Sequence, residues 1–433
     1  MQDADLLIHS AEMMATMKGH SGCPARREEM SKIGLIKDGA VAIQAGKITA
    51  VGTTEEVLAG GWIGPKTIRI SAKGKVITPG FVDPHTHALY AGSRENELSL
   101  KLKGVPYLEI LKQGGGILAT VRSTKQATDE EIKAQTSHRL QTMLCLGTTT
   151  VEVKSGYGLT LDEEMRALRL IKELDSELVI DLVPTFMGAH AVPPGYSEEE
   201  FTNYIIEVVL PKIATHTQAE FCDVFCEPGV FSLNSSERIL AKAQQLRFKL
   251  KIHADELTAA GGAELAAKLS VTSAEHLLQT SDEGIAALAK QGVIAVLLPA
   301  TSFNLAKNTY ARARAMISAG VPVALATDSN PGSSPTESMP LVLTLACLYL
   351  RLTPEEALTA ATINAAHAIG RADQIGSLEV GKQGDVLILD IPNLNYLPYH
   401  FGSSPIGTVI KRGSVVWSAS DTLDVISAKV GEG

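Results

Sequence analysis

Two histidines separated by one residue stand in the stretch GFVDPHTHALYAGSREN, just after a run of residues typical of a β-strand. Side chains two apart on a strand point the same way, so His85 and His87 can face one metal ion together. His253, His276 and Asp328 come at the ends of other apolar runs. A third imidazole, from His253, and the Asp328 carboxylate would complete a site for a divalent or trivalent cation with one position open for water. A lone histidine at a strand end is usually an ordinary polar residue, but several on one rim favour the metal interpretation.

Two further residues near these histidines are suited to proton transfer. Glu256 follows His253 by three residues in IHADEL, where a carboxylate can carry a proton between water at the metal and a leaving nitrogen. The alternative is an acid at the start of the next helix, where a negative charge suits the helix dipole. His276 is either a ligand or a hydrogen-bond partner of the attacking water. The residues alone do not decide between these two roles for His276.

A second group of polar residues falls on the same predicted rim and could hold a substrate. The planar fork of Arg94 suits a carboxylate, although a surface salt bridge with Glu95 or Glu97 is the alternative. Tyr157 and His190 follow two other predicted strands, and simple packing or capping is equally compatible with their positions. Donors to a polar substrate are also expected from the loop TDSNPGSSP, through Asn330, Gly332 and Ser333.

These residues need a scaffold that brings distant strand ends together. Between about Val76 and Asp328, short apolar runs alternate with segments whose apolar residues are spaced three and four apart. The eight runs are KVITPGFVD, TTTVEVKSG, LVIDLVPTFMGAH, FCDVFCE, FKLKIHAD, SVTSAEHL, GVIAVLLPA and VPVALATDS. Eight strands with crossover-length connections predict an α/β fold, a (β/α)₈ TIM barrel with its site at the carboxyl ends of the strands. A doubly wound open sheet is the alternative, but no dinucleotide glycine fingerprint follows the first strand.

The two chain ends have a different pattern. AVAIQAGKITAVG near the N-terminus and IGTVIKRGSVVW near the C-terminus alternate in the manner of strands joined by Gly-centred turns. Neither end is long enough for a good two-layer core, so we expect both ends to form one small composite β-sandwich. The predicted division is 1–75 and 371–433 for the sandwich and 76–370 for the barrel.

Composition places the chain among soluble intracellular proteins of enzyme size. The 433 residues carry a net charge of −9 and no basic run, which disfavours nucleic acid and anionic membranes as partners. The N-terminus lacks the pattern of a secretion signal, and the most apolar window, residues 338–350, is too short to span a bilayer. The five cysteines are few, odd in number and scattered, which argues against a disulfide framework, so the cytoplasm is the expected compartment.

The motifs PGFVDPHTH, IHADE, SAEHL and TDSNPGSSP, in that order, resemble the metal-dependent amidohydrolase superfamily. GSREN, the stretch around QGGGILATVRST, EVKSGYGL and MGAHAVPP resemble the substrate loops of the branch that hydrolyses 4-imidazolone-5-propanoate. With the GKQGDVLILD tail, the resemblance covers nearly the whole chain. HTH alone is shared widely, whereas the combination of GSRE, GGGI, KSGYG and TDSNPGSS is far more specific.

The resemblance implies a role for each candidate residue. It makes His85, His87, His253 and Asp328 the ligands of one Zn²⁺ or Fe³⁺ per subunit, and it makes Glu256, His276 and Asp328 catalytic. It implies substrate contacts from Arg94, Tyr107, Tyr157, His190, Glu256, Asn330, Gly332 and Ser333. Ser329 stands where many relatives have an aromatic residue and Ser333 where threonine is common, but Ser333 keeps the hydroxyl. Lys154 is interpreted as structural or electrostatic, not as a bridging ligand of two metals.

The implied reaction is hydrolysis of the cyclic amide of 4-imidazolone-5-propanoate to N-formimidoyl-L-glutamate, the third step of histidine degradation. A related deaminase acting on a heterocyclic amine would use the same metal set and is the enzymatic alternative. A non-catalytic scaffold is the alternative of another class, but such relatives usually lose ligands and none is lost here. A homodimer is expected, and the apolar stretch from Leu341 to Leu350 could form its interface.

Overall fold

The computed structural model describes residues 3–105, 109, 114–419 and 425–426. The chain forms two compact units, one of Met1–Asp83, Thr142–Thr150 and Ser338–Gly433, the other of Pro84–Gln141 and Val151–Glu337. The division into domains predicted from the sequence, with borders after residues 75 and 370, stays a prediction.

Seventeen strands are found in the described residues. They are β1 (Leu6–Ala15), β2 (Leu35–Gln44), β3 (Lys47–Thr53), β4 (Ile68–Ser71), β5 (Val76–Pro79), β6 (Phe81–Asp83), β7 (Thr148–Lys154), β8 (Asp181–Ala189), β9 (Phe221–Cys226), β10 (Lys249–Ala254), β11 (Ser273–His276), β12 (Ile294–Leu297), β13 (Val323–Leu325), β14 (Val386–Leu389), β15 (Ile406–Lys411), β16 (Ser414–Ser418) and β17 (Val425–Ile426).

Helices occupy most of the connections. The α-helices are Thr54–Ala59, Glu95–Leu102, Ile117–Gln126, Asp129–Cys145, Leu161–Glu177, Glu198–Tyr204, Leu210–His216, Leu233–Gln245, Gly262–Lys268, Asp282–Gln291, Pro299–Asn304, Ala313–Ala319, Met339–Tyr349, Pro354–Ala360, Ile363–Ala368 and Tyr396–Tyr399. A 3₁₀ turn covers Arg27–Ser31, and a π turn covers Ile205–Val209. Among the described residues, no helix combines the length and the apolar character that crossing a membrane requires.

The two chain ends combine in one structure, as the sequence predicts, and the composite β-sandwich expected there is formed by one mixed sheet. Its main path is β16-β15-β14-β5-β1-β2-β3, with β4 paired to β1 and β17 paired to β4. The ends meet where β14 pairs antiparallel with β5, which itself runs parallel to β1. Two hairpins, β2–β3 and β15–β16, turn through the pairs Ala45-Gly46 and Arg412-Gly413, all with positive φ. Two-residue hairpin turns of this kind require that conformation, which glycine adopts at little cost.

Strand alternation gives this sheet two apolar faces. Leu6 and Ile8 of β1 pack with Val41 of β2 on one face. Leu7, between them in sequence, packs with Ala42 on the other face. Successive side chains of a strand point to opposite faces, so a continuous apolar run is what a sheet covered on both sides needs.

The eight predicted barrel strands form a second sheet. Its order is β13-β12-β11-β10-β9-β8-β7-β6, and the pairs from β8 to β13 are parallel. Beyond the first and last strands, Asp328 N donates to His85 O at 3.2 Å and His87 N donates to Ser329 O at 3.0 Å. These bonds join the two ends of the sheet, so the closed barrel is confirmed and the open sheet was the wrong alternative.

Candidate active site

The strand ends predicted from the sequence converge on one buried cluster. His85 and His87 follow β6, His253 lies in β10, and Asp328 follows β13. All four residues are buried, with exposures from 0% to 3%. Two overlapping sets of possible metal-ligand atoms occur here, His85 with His87 and His253, and His85 with His276 and Asp328. The structure therefore brings every predicted ligand, and also His276, to one place.

The donor atoms of these residues face one another. His253 Nε2 lies 3.3 Å from His87 Nε2, and Asp328 Oδ1 lies 3.4 Å from His85 Nε2 and 3.6 Å from His87 Nε2. Two imidazole nitrogens in contact repel each other unless a cation or a proton lies between them. Imidazole nitrogens with a carboxylate oxygen are a ligand set that Zn²⁺ and iron accept. The arrangement fits a metal ion, and the site is a histidine-rich metal-binding site.

Buried carboxylates hold the outer nitrogens of two of these rings. His85 Nδ1 lies 2.9 Å from Glu275 Oε2, and His253 Nδ1 lies 3.1 Å from Asp223 Oδ1. A carboxylate at Nδ1 keeps the proton on that nitrogen, which leaves the lone pair on Nε2. The two inner nitrogens are thereby prepared to bind a cation.

These carboxylates belong to a layer of buried charges that the sequence interpretation missed. Lys154 Nζ lies 2.7 Å from Asp223 Oδ2 and 2.8 Å from Glu152 Oε1, and Lys251 Nζ lies 3.4 Å from Glu275 Oε1. All five side chains are fully buried. The available signal was charge inside strand runs that are otherwise apolar, as in TTTVEVK and FCDVFC. Lys154 thus lies inside this network of buried charges, and its structural or electrostatic role stays a prediction.

Burial sets the protonation of the cluster. It lowers the pKa of His85, His87 and His276 well below the usual value, so these rings are neutral, the form that binds a cation. For His253, burial is outweighed by the charge and hydrogen bond of Asp223, and its pKa is raised. Burial raises the pKa of Asp328 to about 7, although the hydrogen bond from Thr301 acts to lower it. A bound cation would also lower this pKa.

Glu256 and His276 lie together beside the ligands. His276 Nε2 is 3.5 Å from Glu256 Oε2, and the His276 ring is centred 5.2 Å from that of His253. His276 and Asp328 both have positive φ, 70° and 52°, a conformation that costs a residue with a side chain about 1–2 kcal/mol. Thr301 Oγ1 donates to Asp328 Oδ2 at 2.6 Å, which leaves Oδ1 toward the histidines. The strained backbone at both strand ends turns these side chains toward the cluster.

Tyr157 and His190 line the same cluster from two neighbouring loops. The His190 ring stacks on His87 at 4.8 Å between centroids, and its Nδ1 lies 3.0 Å from Gly156 O. The centre of the Tyr157 ring lies 5.3 Å from that of His190 and 6.0 Å from that of His87. Burial lowers the pKa of His190 to about 3 and raises that of Tyr157. Both rings therefore remain neutral at physiological pH.

Glu164 fixes the loop that carries Tyr157. Its buried carboxylate accepts hydrogen bonds from the backbone N–H groups of Gly156, Gly158 and Leu159 at 3.0, 2.9 and 2.8 Å. Charge-assisted bonds of this type are stronger than neutral ones. The sequence interpretation missed Glu164, although a glutamate in the first turn of a helix just after a Gly-rich loop is a recognisable signal.

Arg94 forms a salt bridge with Glu97, one of the two partners named in the alternative, but the pair is largely buried and does not lie on the surface. Its Nε and Nη2 donate to the two Glu97 carboxylate oxygens at 2.9 and 2.8 Å, with both side chains about one-tenth exposed. Its guanidinium also packs against Gly332, where an added Cβ would lie 2.8 Å from Arg94 Cζ. Arg94 thus contacts the loop that follows Asp328.

Asn330 organises that loop. Its Oδ1 accepts from Gly332 N and Ser333 N, both at 2.8 Å, and its Nδ2 donates to Asp328 O at 2.6 Å. Asn330, Gly332 and Ser333 therefore lie next to the predicted ligand Asp328. Tyr107, the remaining predicted substrate contact, lies outside the described residues.

Comparisons of sequence identify the family and the relatives of this chain. Residues 76–416 match the family described as "Amidohydrolase family". The imidazolonepropionase of Alkaliphilus oremlandii (strain OhILAs) is 54% identical over 95% of this chain and 98% of its own length. That of Parabacteroides distasonis (strain ATCC 8503) is 48% identical over 96% of this chain and 99% of its own length.

Solved structures share the fold at much lower identity. An adenosine deaminase from Xanthomonas campestris with bound zinc has a TM-score of 0.69 and 23% identity, covering 96% of this chain and 93% of that one. The guanine deaminase of E. coli has a TM-score of 0.68 and 16% identity, covering 96% and 99%. At such identities the likeness shows the fold alone.

Proposed function

This chain belongs to the amidohydrolase family and, within it, to the imidazolonepropionases, and on that premise we propose how its residues divide the work of the reaction. It is a hydrolase of carbon–nitrogen bonds in cyclic amides. Its reaction opens the ring of 4-imidazolone-5-propanoate with water and yields N-formimidoyl-L-glutamate, the third step of histidine degradation.

The metal ligands in this proposal are His85, His87, His253 and Asp328, which hold one Zn²⁺ or Fe³⁺ per subunit. One observation carries it: the inner nitrogens of His87 and His253 face each other at 3.3 Å while Asp223 holds the outer nitrogen of His253. When bound, the cation supplies Lewis-acid chemistry, lowering the pKa of water and polarising a carbonyl.

His276 and Asp328 orient and deprotonate the attacking water. Thr301 holds Asp328 Oδ2 while Oδ1 faces the histidines, which fixes the orientation of the carboxylate that accepts the proton. His276 is held near Glu256 and fixes the water by a hydrogen bond from outside the ligand set. The water oxygen adds to the ring carbonyl carbon, and the carbon then carries two oxygens and the ring nitrogen.

Glu256 delivers a proton to the leaving nitrogen, and the proton that Asp328 takes from the water restores the carboxyl group of Glu256. As the carbon–nitrogen bond breaks, the nitrogen gains an electron pair and must be protonated. Glu256 lies 3.5 Å from His276 and is mostly buried, so it is within reach of a ring placed against the histidines. Protonation of the nitrogen completes opening of the ring.

The remaining residues bind the substrate. Arg94 pairs with the propanoate carboxylate and fixes which face of the ring meets the histidines. The proposed ring and product contacts are Tyr107, Tyr157, His190, Asn330, Gly332 and Ser333. Tyr157 and His190 support this role because their rings pack beside His87.

Assembly and location are part of the same proposal. We expect a homodimer through the helix Met339–Tyr349, whose end exposes Leu348 and Tyr349 by 51% and 47%. Five free cysteines are compatible with the cytoplasm. Light scattering of the purified protein tests the dimer, and elemental analysis tests the identity and number of metal ions.

The decisive experiment follows the ultraviolet decay of fresh 4-imidazolone-5-propanoate with purified protein, before and after chelation. We expect fast decay with formation of N-formimidoyl-L-glutamate, its loss on chelation and its return with Zn²⁺ or Fe³⁺. Decay at the spontaneous rate from a metal-replete sample would contradict the function. A panel of heterocyclic amines would then test deamination.

A further inference from the structure

The ion pair between Arg94 and Glu97 leaves one edge of the guanidinium for another partner. Arginine carries five N–H donors, one on Nε and two on each Nη. Glu97 engages Nε and one donor of Nη2. The remaining edge, formed by Nη1 and the second Nη2 donor, has the fork geometry that a second carboxylate accepts.

Two contacts determine the direction of that edge. Glu97 is itself fixed, because its Oε1 also accepts from Gly116 N at 2.8 Å, just before the helix Ile117–Gln126. On the other side, the guanidinium packs so closely on Gly332 that a Cβ there would overlap Nη1. Arg94 is therefore held between a buried acid and a residue without a side chain, four positions after Asp328.

We infer that Glu97 is a positioning residue for the substrate carboxylate, acting through Arg94, and that Gly332 is glycine to admit the guanidinium. This inference rests on the proposed pairing of Arg94 with the propanoate. Glu97 takes one edge of the fork and turns the other toward the substrate. The enzyme thereby selects substrates with a carboxylate at the end of the side chain.

The positioning role of Glu97 and its negative charge have opposite effects on KM. The sign of the change in KM therefore shows which effect dominates. The Glu97 carboxylate repels an incoming anion, and removing its charge would by that effect alone lower KM. Loss of the bidentate grip would instead leave Arg94 misdirected and raise KM. The rise is expected because misdirected hydrogen bonds cost more at a buried site than a screened repulsion does.

The experiment compares Glu97→Gln with the unaltered enzyme on 4-imidazolone-5-propanoate and on the neutral analogue with a 5-ethyl group. We expect KM for the propanoate to rise about ten- to a hundredfold with kcat little changed, the loss of one or two charge-assisted hydrogen bonds. The analogue should show no change. Glu95→Gln is the matched control, because Glu95 is an exposed acid in the same first turn that bonds Ser93 instead of Arg94.

Arg94→Gln separates this inference from the proposed function. If Arg94→Gln raises KM equally for both substrates, the pairing of Arg94 with the propanoate is wrong. If it affects only the propanoate, the pairing stands, and Glu97→Gln added to it should cause no further loss. Three results would each overturn the role of Glu97. They are a fall in KM with Glu97→Gln, an equal rise in KM for both substrates, and a further rise in KM in the double variant.

Thermal melting shows whether Glu97→Gln is folded. If it is not, a second variant tests the same inference. Gly332→Ala keeps the bonds of Glu97 but places a methyl group against the guanidinium. It should raise KM for the propanoate more than for the ethyl analogue. Equal losses on the two substrates would overturn the inference.

Discussion

Asp223 holds the ring of His253 in place, with 3.1 Å between Asp223 Oδ1 and His253 Nδ1, both side chains being buried. The bond fixes the tautomer and the orientation of the ring at once. His253 can then offer Nε2 to a cation without rearrangement.

Asp223→Asn should therefore weaken metal binding. The variant keeps the shape of the side chain but replaces a charged acceptor with an amide, and we expect a loss of about 10- to 100-fold in metal affinity. Competition with a chelator measures it independently of turnover. Glu220→Gln, a carboxylate just before the same strand, is the control, and equal affinity in both variants would refute the role of Asp223.

Lys154→Met should destabilise the fold. Burial would raise the pKa of Asp223, but the charges of His253 and Lys154 lower it, so the buried aspartate depends on the lysine to remain ionised. Removing one partner of a buried ion pair costs about 3–5 kcal/mol of unfolding free energy. Urea denaturation of metal-free protein measures this change.

The surface lysine Lys133 supplies a comparison for Lys154. Lys133 pairs with Glu173 and Glu177 near the surface, where solvent screens the charges and such pairs contribute little to stability. Lys133→Met should change the midpoint of urea unfolding little. Similar losses for the two variants would mean that the buried network adds nothing beyond packing.

Glu256→Gln should lower kcat about 10²- to 10⁴-fold while the metal content stays unchanged. Glutamine keeps the size of the side chain but cannot deliver a proton to the leaving nitrogen. Steady-state kinetics and elemental analysis of the same preparation test both parts. Loss of metal from this variant would instead make Glu256 a ligand, and unchanged kcat would exclude it as the acid.

Glu164→Ala should both destabilise the fold and weaken substrate binding. Three buried backbone N–H groups lose their acceptor, and each unsatisfied buried donor costs about 1–3 kcal/mol. Because these donors hold the loop of Tyr157, KM should rise as well. Denaturation and kinetics are compared with Glu163→Ala, whose carboxylate pairs with Arg166 at 3.2 Å; an equal effect in both variants would contradict the prediction.

The sequence by itself determined the scaffold and the chemistry at its rim. Strand periodicity and crossover lengths are local properties, so they predicted eight barrel strands and the joining of the two chain ends in one composite β-structure. Strand ends of such a barrel meet on one rim, whatever the detailed register. The sequence could therefore predict that four residues lie close together: His85, His87, His253 and Asp328.

Only the tertiary structure decided what holds those residues in place. Glu275 lies 190 positions from His85, and Gly332 lies far along the chain from Arg94, so no local pattern connects either pair. Which strands are neighbours, and in which register, selects these partners. The positive φ of His276 and Asp328 is likewise imposed by closure of the barrel and its loops, because the residues alone favour other conformations.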